Sequence, residues 1–279
     1  MPNRARLPAL RSRVRNRILL ALPEHEFQNV YRHLAFVDLR QGKVLYSADN
    51  WIDYAYFMNS GMTSSVSVTA EGETVEDGTV GDEGLMGGPA ALGEDKIFCS
   101  GIVQIPGSAL RIGAQVLRSE FQKNAGFSRL LEDYVYGLRL QLGRSDECHD
   151  SHSLEQRLCR LLLTSQDCSR PGSFPFTFEF LSHIARATRA AVASTIDDLH
   201  EEGLIYRWRS CIRIVDREEV ERRACRCCLI SAGKYDRQAS SGEADTVTGH
   251  QVVSRAARHP RSLSSARTGF PGNDSSGTR

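Results

Sequence analysis

The residues best suited to chemistry in this sequence lie in a short amphipathic segment that begins at Thr188. Val192, Ile196 and Leu199 recur at intervals of four and three residues, which predicts a helix with these side chains inside. The Thr188 hydroxyl can accept an amide hydrogen from the first turn, although an Ala at residue 191 leaves the capping box incomplete. The residues expected to face outward at the helix start and to contact DNA are Thr188, Arg189, Ala190, Ala191 and Ser194.

The chemistry of this helix start suits DNA recognition. It is the end of a recognition helix that enters a major groove, and Arg189 can donate two hydrogen bonds to guanine, worth ~1–3 kcal/mol of discrimination. Thr188 and the amides of the first turn can bind a phosphate. Upstream, the apolar spacing at residues 181–185 predicts a second short helix, and residues 186–188 would form the turn between the two. Two short helices joined in this way form a helix-turn-helix unit.

The segment after the second helix predicts a β-hairpin wing, because residues 205–215 alternate in character. The alternation would place Arg207, Arg209 and Arg213 on one face and Trp208 on the other. A basic strand face beside a recognition helix can hold phosphates, so Arg207 and Arg209 are further predicted DNA contacts. The alternative is that these arginines are solvated surface charges.

The chain has eight cysteines, and in a reducing compartment they are expected to be free thiols. The run Cys225-Arg226-Cys227-Cys228 could hold a soft metal or a redox centre. No second cysteine pair or nearby histidine in the sequence completes four ligands, so we predict no metal there. Near Cys148, the residues His149, Asp150 and His152 could also bind a metal, but a hydrophilic hinge is the favoured interpretation.

Six acidic residues between positions 71 and 83 raise the alternative of a hydrolytic site. They are Glu71, Glu73, Glu76, Asp77, Asp82 and Glu83. On hairpin loops such carboxylates are more often solvated. The sequence shows no set of nucleophile, base and orienting residue and no Walker-type phosphate loop. We therefore predict that the protein is not an enzyme.

The rest of the chain supplies the elements that must position these residues. Residues 17–34 predict two short helices divided at Pro23. From residue 36 to 112, short β-branched or aromatic runs alternate with turn residues, which predicts a small all-β sandwich or barrel. Residues 114–148 and 153–167 return to helical periodicity.

The first of these long helical segments carries a narrow apolar stripe with 4-3-4 spacing, typical of a helix–helix seam. Its members are Leu131, Val135, Leu138 and Leu142. One interpretation packs the helix on its own β domain. We favour a parallel dimer seam, because helix-turn-helix proteins commonly bind DNA as two-fold pairs.

The composition is that of an ordinary soluble protein: 279 residues, 41% hydrophobic and 25% charged. Residues 1–17 contain six arginines and no acid, which predicts an extended basic arm. Residues 229–279 have few large apolar side chains and are expected to be disordered. No window has the ~18 apolar residues of a membrane span and no secretory signal is visible. We therefore predict a cytoplasmic protein without membrane contact.

Taken in order, several motifs resemble the Crp/Fnr family, from about residue 16 to residue 228. The helix-turn-helix resemblance lies in residues 180–184, in Thr188-Arg189-Ala190-Ala191-Val192, and in residues 199–205. The β-roll resemblance lies in residues 16–23, 42–46 and 56–61 and in Val80-Gly81-Asp82-Glu83-Gly84-Leu85-Met86-Gly87.

The resemblance implies an α+β fold: a β-roll sensor domain (a double-stranded β-helix or jelly roll), a long dimerisation helix and a winged helix-turn-helix. The expected organisation is a basic arm at 1–15, the β-roll at 16–126, the dimerisation helix at 127–149, the DNA-binding domain at 150–228 and a tail at 229–279. It implies a homodimeric transcription regulator with an effector- or redox-responsive β-roll. Its partners would be double-stranded DNA, a second copy of the chain and, for an activator, RNA polymerase.

The effector pocket implied by the resemblance involves Gly81, Glu83, Cys99 and Ser100. Cyclic-nucleotide-binding members carry Arg-Ser-Ala where this chain reads Cys99-Ser100-Gly101. A cysteine cannot neutralise and orient a phosphate as a guanidinium does, so we predict no binding of cyclic AMP.

The sequence also argues against the cofactors of other family members. No cysteine precedes Cys99, so an N-terminal iron–sulfur cluster is not expected. No histidine lies between His33 and His149, so a haem held by a sensor-domain histidine is not expected either. We predict no cofactor, and the effector stays open.

The recognition helix departs from the cyclic AMP-responsive member, because Ala190 and Ser194 stand where that member has Glu and Arg. The turn position often filled by glycine is Arg186, whose strain in a left-handed conformation would be ~1–2 kcal/mol. These departures leave a rival interpretation open, a small-molecule or redox-sensing β-roll protein with a degenerate DNA-binding domain.

Overall fold

The structure is a computed structural model that describes residues 11–68, 74–94, 96–169 and 172–228. Within these ranges, the side chains of residues 74, 76–77, 140–147 and 228 are outside the description. The predicted tail and residues 1–10 of the predicted basic arm also lie outside the described residues, as do Glu71 and Glu73 of the acidic group.

The helices and strands follow the order expected for the two parts of the chain. They are α1 (Arg17–Ala21), α2 (Glu24–Tyr31), β1 (Ala35–Leu39), β2 (Val44–Tyr46), β3 (Tyr54–Val68), β4 (Thr74–Val80), β5 (Leu85–Met86), α3 (Pro89–Leu92), β6 (Ser100–Gly113), α4 (Ala114–Lys123), α5 (Ala125–Ser151), α6 (Leu154–Cys168), β7 (Phe174–Pro175), α7 (Phe178–Ala185), α8 (Arg189–Glu201), β8 (Ile205–Trp208), β9 (Cys211–Ile214), α9 (Arg217–Arg223) and a 3-10 turn (Arg226–Cys228).

Two long antiparallel strands, β3 and β6, form the frame of the N-terminal domain. Strands β1 and β2 pair with β6, while β4 and β5 pair with β3, so that one antiparallel sheet of six strands results. The sequence predicted separate short runs along β3 and along β6. In the structure the runs along β3 form one continuous strand, and so do those along β6. Register shifts in the pairing of β3 with β6 allow both strands to bend without ending.

Helices that precede the strands in the chain and helices that follow them both pack on the core of this domain. Pro23 directly precedes α2, as predicted, and the start of α5 joins α1 and α2 in the core. The largest fully buried side chains here include Leu19, Phe27, Phe57, Leu110 and Phe127.

The chain before α1 does not behave as a free basic arm over the residues described. Val14 is buried in the same core, the Arg15 amide donates to Asn59 Oδ1 at 2.6 Å, and the Arg11 guanidinium donates to the Leu22 carbonyl at 2.5 Å. Residues 11–15 are therefore anchored to the β domain, which corrects that part of the prediction.

The 27-residue helix α5 runs along the domain and then leaves it. Of the predicted seam, Leu131 is buried in its own chain's core and Leu138 packs against that core, while Val135 is 39% exposed. The side chain of Leu142 is outside the description. Tyr136, which was not predicted, is 64% exposed. The first half of α5 therefore uses part of the stripe to pack on its own β domain.

The C-terminal domain contains α6 to α9 and a small sheet in the order β7-β9-β8. Its core includes Leu162, Phe174, Leu181, Ile196, Ile212 and Val220. Met62 of β3 and Ile105 of β6 belong to the same buried cluster, so the two domains share apolar contacts. Together these elements confirm the predicted α+β fold. Among the helices described, none combines the length and the apolar character that a membrane span requires.

Candidate nucleic-acid interface

Helix α8 begins at Thr188, as the sequence predicts. The Thr188 backbone is extended, and its hydroxyl oxygen accepts the Ala191 amide hydrogen at 3.2 Å. Val192, Ile196 and Leu199 are each at most 1% exposed, which confirms the predicted inner face. The predicted contact residues at the helix start are all exposed: Thr188, Arg189, Ala190, Ala191 and Ser194. The edge that would approach DNA is therefore free of the protein core.

The preceding helix, α7, holds that edge in place. The Thr177 hydroxyl caps α7 by accepting the Phe180 amide hydrogen at 3.0 Å, and the helix ends at Arg186. Arg186 has φ 47° and ψ 54°, and the Ala187 amide donates to the Ser182 carbonyl across this left-handed residue. The turn thus carries the strain predicted for a non-glycine residue in this conformation.

We expect Arg186→Gly to raise the free energy of unfolding by about 1 kcal/mol, because glycine adopts the left-handed region without the Cβ clash. Urea unfolding of the purified chain measures the change. The control is Ser194→Gly on the exposed face of α8, which should lower stability because glycine is unfavourable within a helix. A loss of stability in Arg186→Gly would show that native interactions of the arginine side chain outweigh the backbone strain.

Arg189 forms an exposed ion pair with Glu179 in the single chain. Its guanidinium lies 3.1 Å from the Glu179 carboxylate of α7, and the two side chains are 64% and 61% exposed. An ion pair this open to water contributes little to stability. Arg189 can therefore exchange Glu179 for another acceptor at small cost.

The wing has the predicted hairpin, but its arginines do not share one face. Across the hairpin, Arg207 pairs with the buried Ile212, whereas Arg213 pairs with the exposed Tyr206. Residues that pair across the hairpin share a face of the sheet. Each even-numbered residue pairs with an odd-numbered one, so alternation counted along the chain assigns the second strand to the wrong face. Arg213 therefore lies on the face opposite Arg207, which corrects the prediction.

Each wing arginine also has its own partner. Arg207 Nη2 lies 2.7 Å from Asp197 Oδ1 of α8, so this ion pair links the hairpin to α8. Arg209 is in the turn itself at φ 52°, with its guanidinium 4.8 Å from the Trp208 ring centroid. Arg209 is exposed at the tip of the hairpin.

One half of the predicted effector pocket faces the C-terminal domain. The Glu83 carboxylate accepts the Gly81 amide hydrogen at 2.8 Å. A Cβ at residue 81 would lie 2.5 Å from Cys168 Sγ, so only glycine permits this close approach of α6. Loss of water around the carboxyl group raises the pKa of Glu83, with Asp82 adding to the shift and Arg17 opposing it.

We expect Glu83→Gln to stabilise the protein increasingly as pH rises. A carboxyl group whose folded-state pKa is raised contributes its full stability below its ordinary pKa and loses it as pH rises through the folded value. Each pKa unit corresponds to ~1.4 kcal/mol. Urea unfolding of wild type and variant at pH 5.5 and 8 measures the trend. An equal difference at both pH values would contradict it.

The other half of the predicted pocket, Cys99 and Ser100, lies beside the cluster that contains Tyr46. Ser100 Oγ accepts the Ala48 amide hydrogen at 3.0 Å, and a Cβ at Gly101 would lie 2.8 Å from the Tyr46 ring. The Tyr46 side chain is almost fully buried, and burial raises the pKa of its hydroxyl group. Cys99 packs against the same cluster. The predicted residues thus lie in two settings, one at Cys168 and one at Tyr46.

A cluster of thiols and one imidazole is what the sequence interpretation missed. The structure brings together Cys148, His152, Cys225 and Cys227, whose ligand atoms all lie within 4.8 Å of one another. This corrects the prediction that no histidine or further cysteine completes the set around Cys225 and Cys227. Of the three residues assigned to a hydrophilic hinge, Asp150 is exposed, whereas His152 joins this cluster.

A signal for this cluster was present in the sequence. Cys148 and His152 are four residues apart, so one end of the predicted helix could hold both. What the sequence could not show is that α9 returns the chain to the end of α5.

Comparison with known proteins assigns the C-terminal part of the chain. Residues 156–223 match the profile of the Crp-like helix-turn-helix domain. A comparison with curated proteins gives no significant match. The matched region begins within α6 and ends with α9, so it covers both helices of the helix-turn-helix and the wing.

Solved structures resemble nearly the whole described chain. FixK2 from Bradyrhizobium japonicum is 13% identical, with 69% of this chain and 98% of that one aligned at a TM-score of 0.58. CLP, a c-di-GMP-responsive regulator of Xanthomonas campestris, is 13% identical over 69% and 99% of the chains, with a TM-score of 0.54. A CRP-family regulator of Thermus thermophilus is 18% identical over 67% and 96%, with a TM-score of 0.55. At these identities the likeness is one of fold.

Proposed function

We propose that this chain is a DNA-binding transcription regulator of the Crp/Fnr type that binds a two-fold DNA site as a homodimer. The match of residues 156–223 to the Crp-like helix-turn-helix domain and the likeness in fold to solved regulators support this proposal. Each chain would read one half-site with α8, and the half-sites would lie about one helical turn of DNA apart. The observation that carries this proposal is the exposed N-terminal edge of α8 above a fully buried inner face.

Within that edge, the residues have different roles. Arg189 reads a base, because its fork of donors fits guanine and its ion pair with Glu179 is open to water. Ala190, Ala191 and Ser194 present small side chains, which let the helix approach the groove closely. Thr188 and the amides of the first turn bind a phosphate and set the register of the helix.

The wing supplies contacts that do not depend on sequence. Arg209, at the exposed hairpin tip, binds a phosphate of the backbone. Arg207 contributes a weaker phosphate contact, because Asp197 already neutralises much of its charge. Its larger role is to fix the wing against α8.

The β-roll would sense a signal other than cyclic AMP. Cys99 stands where cyclic-nucleotide-binding members supply an arginine, and it packs against the apolar cluster that contains Tyr46. Isothermal calorimetry should give no cyclic AMP binding at micromolar concentration, and micromolar binding would overturn this assignment. An effector can change DNA binding only through different affinities for the two states.

The domain limits predicted from sequence belong to the same proposal. The dimerisation helix would coincide with the part of α5 beyond the β-roll, and the DNA-binding domain would extend from residue 150 to residue 228. A regulator that acts on DNA in this way works in the cytoplasm, with RNA polymerase as a further partner if it activates transcription.

Selection from random DNA sequences with the purified full chain tests the proposal. We expect an enriched, two-fold symmetric motif whose half-sites lie one turn apart. The rival function is a sensing protein with a degenerate DNA-binding domain, and Arg186, Ala190 and Ser194 are the residues that motivate it. Absence of any enriched motif at low salt would favour that rival.

A further inference from the structure

The cluster of Cys148, His152, Cys225 and Cys227 is built from two segments far apart in the chain. Cys148 is in the last turn of α5 and His152 directly follows that helix, with the His152 amide donating to the Cys148 carbonyl at 3.1 Å. Cys225 and Cys227 follow α9, and the Cys225 amide donates to the Gln156 carbonyl at 3.2 Å. Backbone hydrogen bonds therefore hold both pairs of ligands in place.

Two distances within the cluster are close to the edges of a tetrahedral coordination shell. Cys148 Sγ lies 3.5 Å from Cys225 Sγ, and Cys227 Sγ lies 3.7 Å from His152 Nδ1. With zinc–sulfur bonds of ~2.3 Å and zinc–nitrogen bonds of ~2.0–2.1 Å, the edges of a ligand tetrahedron are about 3.8 Å and 3.6 Å. A disulfide would instead need sulfur atoms ~2.0 Å apart.

From this geometry we propose that these four residues form a Cys₃His site for one zinc-class divalent cation. A multinuclear iron–sulfur cluster bonds its protein ligands to different iron atoms, which needs a wider spread of ligands. The mutual limit of 4.8 Å fits a single ion. Three thiolates and one imidazole are the ligand set of a closed, structural zinc site.

The surroundings suit such an ion. Cys148 and Cys225 are buried, at 1% and 6% exposure, which excludes water from one side of the site. Three thiolates around a doubly charged cation leave one negative charge.

The site would join α5 to the end of the DNA-binding domain. Two ligands belong to the end of the long helix and two follow α9, which packs on α6. A bound ion therefore fixes how the DNA-binding domain is attached to α5. The metal site does not depend on the proposed DNA function, and its test uses the metal alone.

The experiment measures metal in the purified full chain, expressed with added zinc and kept reduced. Mass spectrometry of the metals should give one zinc per chain, and replacement by cobalt should give the intense visible bands of tetrahedral thiolate coordination. Cys227→Ser and His152→Ala should each weaken zinc binding by more than the ~100-fold that loss of an outer-shell partner costs. His152→Cys should retain the ion, because it restores a fourth ligand.

Cys211→Ser is the matched control, since it removes a thiol of strand β9 outside the cluster and should keep one zinc per chain. If a ligand variant fails to fold, the wild-type metal content and cobalt spectrum decide the question alone. The proposal is overturned if the reduced wild-type chain takes up neither zinc nor cobalt. It is equally overturned if Cys227→Ser retains the ion at wild-type affinity, or if the chain holds iron with sulfide.

Discussion

Replacing Arg189 with alanine should remove a base preference at one position in each half-site while leaving the remaining DNA contacts in place. A bidentate arginine–guanine contact discriminates by ~1–3 kcal/mol, which corresponds to about 5- to 150-fold in affinity for the preferred base over others. The loss of the Glu179 ion pair adds little to this effect, because both side chains are mostly exposed. The folded protein should therefore be nearly as stable as wild type.

The measurement is a repeat of the random-sequence selection, followed by titration of the best site and of sites changed at single positions. Arg222→Ala is the matched control, since it removes an arginine that is 71% exposed on α9, away from the exposed edge of α8. That variant should select the wild-type motif. An unchanged motif in Arg189→Ala would show that α8 enters the groove in a different register.

Arg209→Ala gives the contrasting behaviour of a phosphate contact. It should weaken binding to all sequences about equally and reduce the slope of log affinity against log salt by about 1. Arg207→Ala should follow the same pattern more weakly, because the Asp197 carboxylate already compensates part of its charge. A sequence-dependent effect of Arg209 would place the wing in a groove and not on the backbone.

The helix-turn-helix could be predicted from the sequence because the interactions that form it lie within a few residues of one another. The spacing of Val192, Ile196 and Leu199 defines one face within a single helix, and the Thr188 cap acts over three residues. The left-handed conformation of Arg186 also follows from local geometry, since the turn must reverse within three residues. Such features depend little on how the rest of the chain folds.

The wrong predictions concern contacts between segments that are separate in the sequence. Alternation within a strand predicted the faces of the wing arginines, but the pairing of Arg207 with Ile212 depends on the turn and reverses the faces on the returning strand. The Cys₃His cluster depends on contact between residues more than 70 positions apart, such as Cys148 and Cys225. Neither arrangement is encoded in a short window of sequence.

The contacts between the two domains suggest how a signal in the β-roll would reach α8. Met62 and Ile105 are fully buried in the core of the DNA-binding domain although they belong to the central strands of the β-roll. Gly81 touches Cys168 at the end of α6. An effector that altered either contact would change the apolar packing between the domains, and packed interfaces commonly respond by shifting between discrete arrangements.

Loss of the proposed dimer should lower DNA affinity more than any other change discussed above. The exposure of side chains on α5 decides which residue should be substituted to test this. Leu131 fits the predicted seam by spacing, but it is 4% exposed and belongs to its own chain's core, so a charge there would unfold the β domain. Val135 and Tyr136 are 39% and 64% exposed in the single chain. Among the side chains of α5 that the structure describes, these two are exposed apolar ones that a second copy could cover.

We therefore expect Tyr136→Glu to separate the proposed homodimer without unfolding the chain. Two linked half-site contacts exceed one by ~10²–10⁴-fold, and the monomer should lose about that much affinity for the two-fold site. Analytical ultracentrifugation should show the mass of one 31.0 kDa chain in place of two. Leu92→Glu, at a residue 61% exposed on α3, is the control and should remain dimeric. A Tyr136→Glu variant that stays dimeric and binds DNA as wild type does would mean that the two copies meet elsewhere, because a buried, unpaired carboxylate at the seam would cost too much to be tolerated.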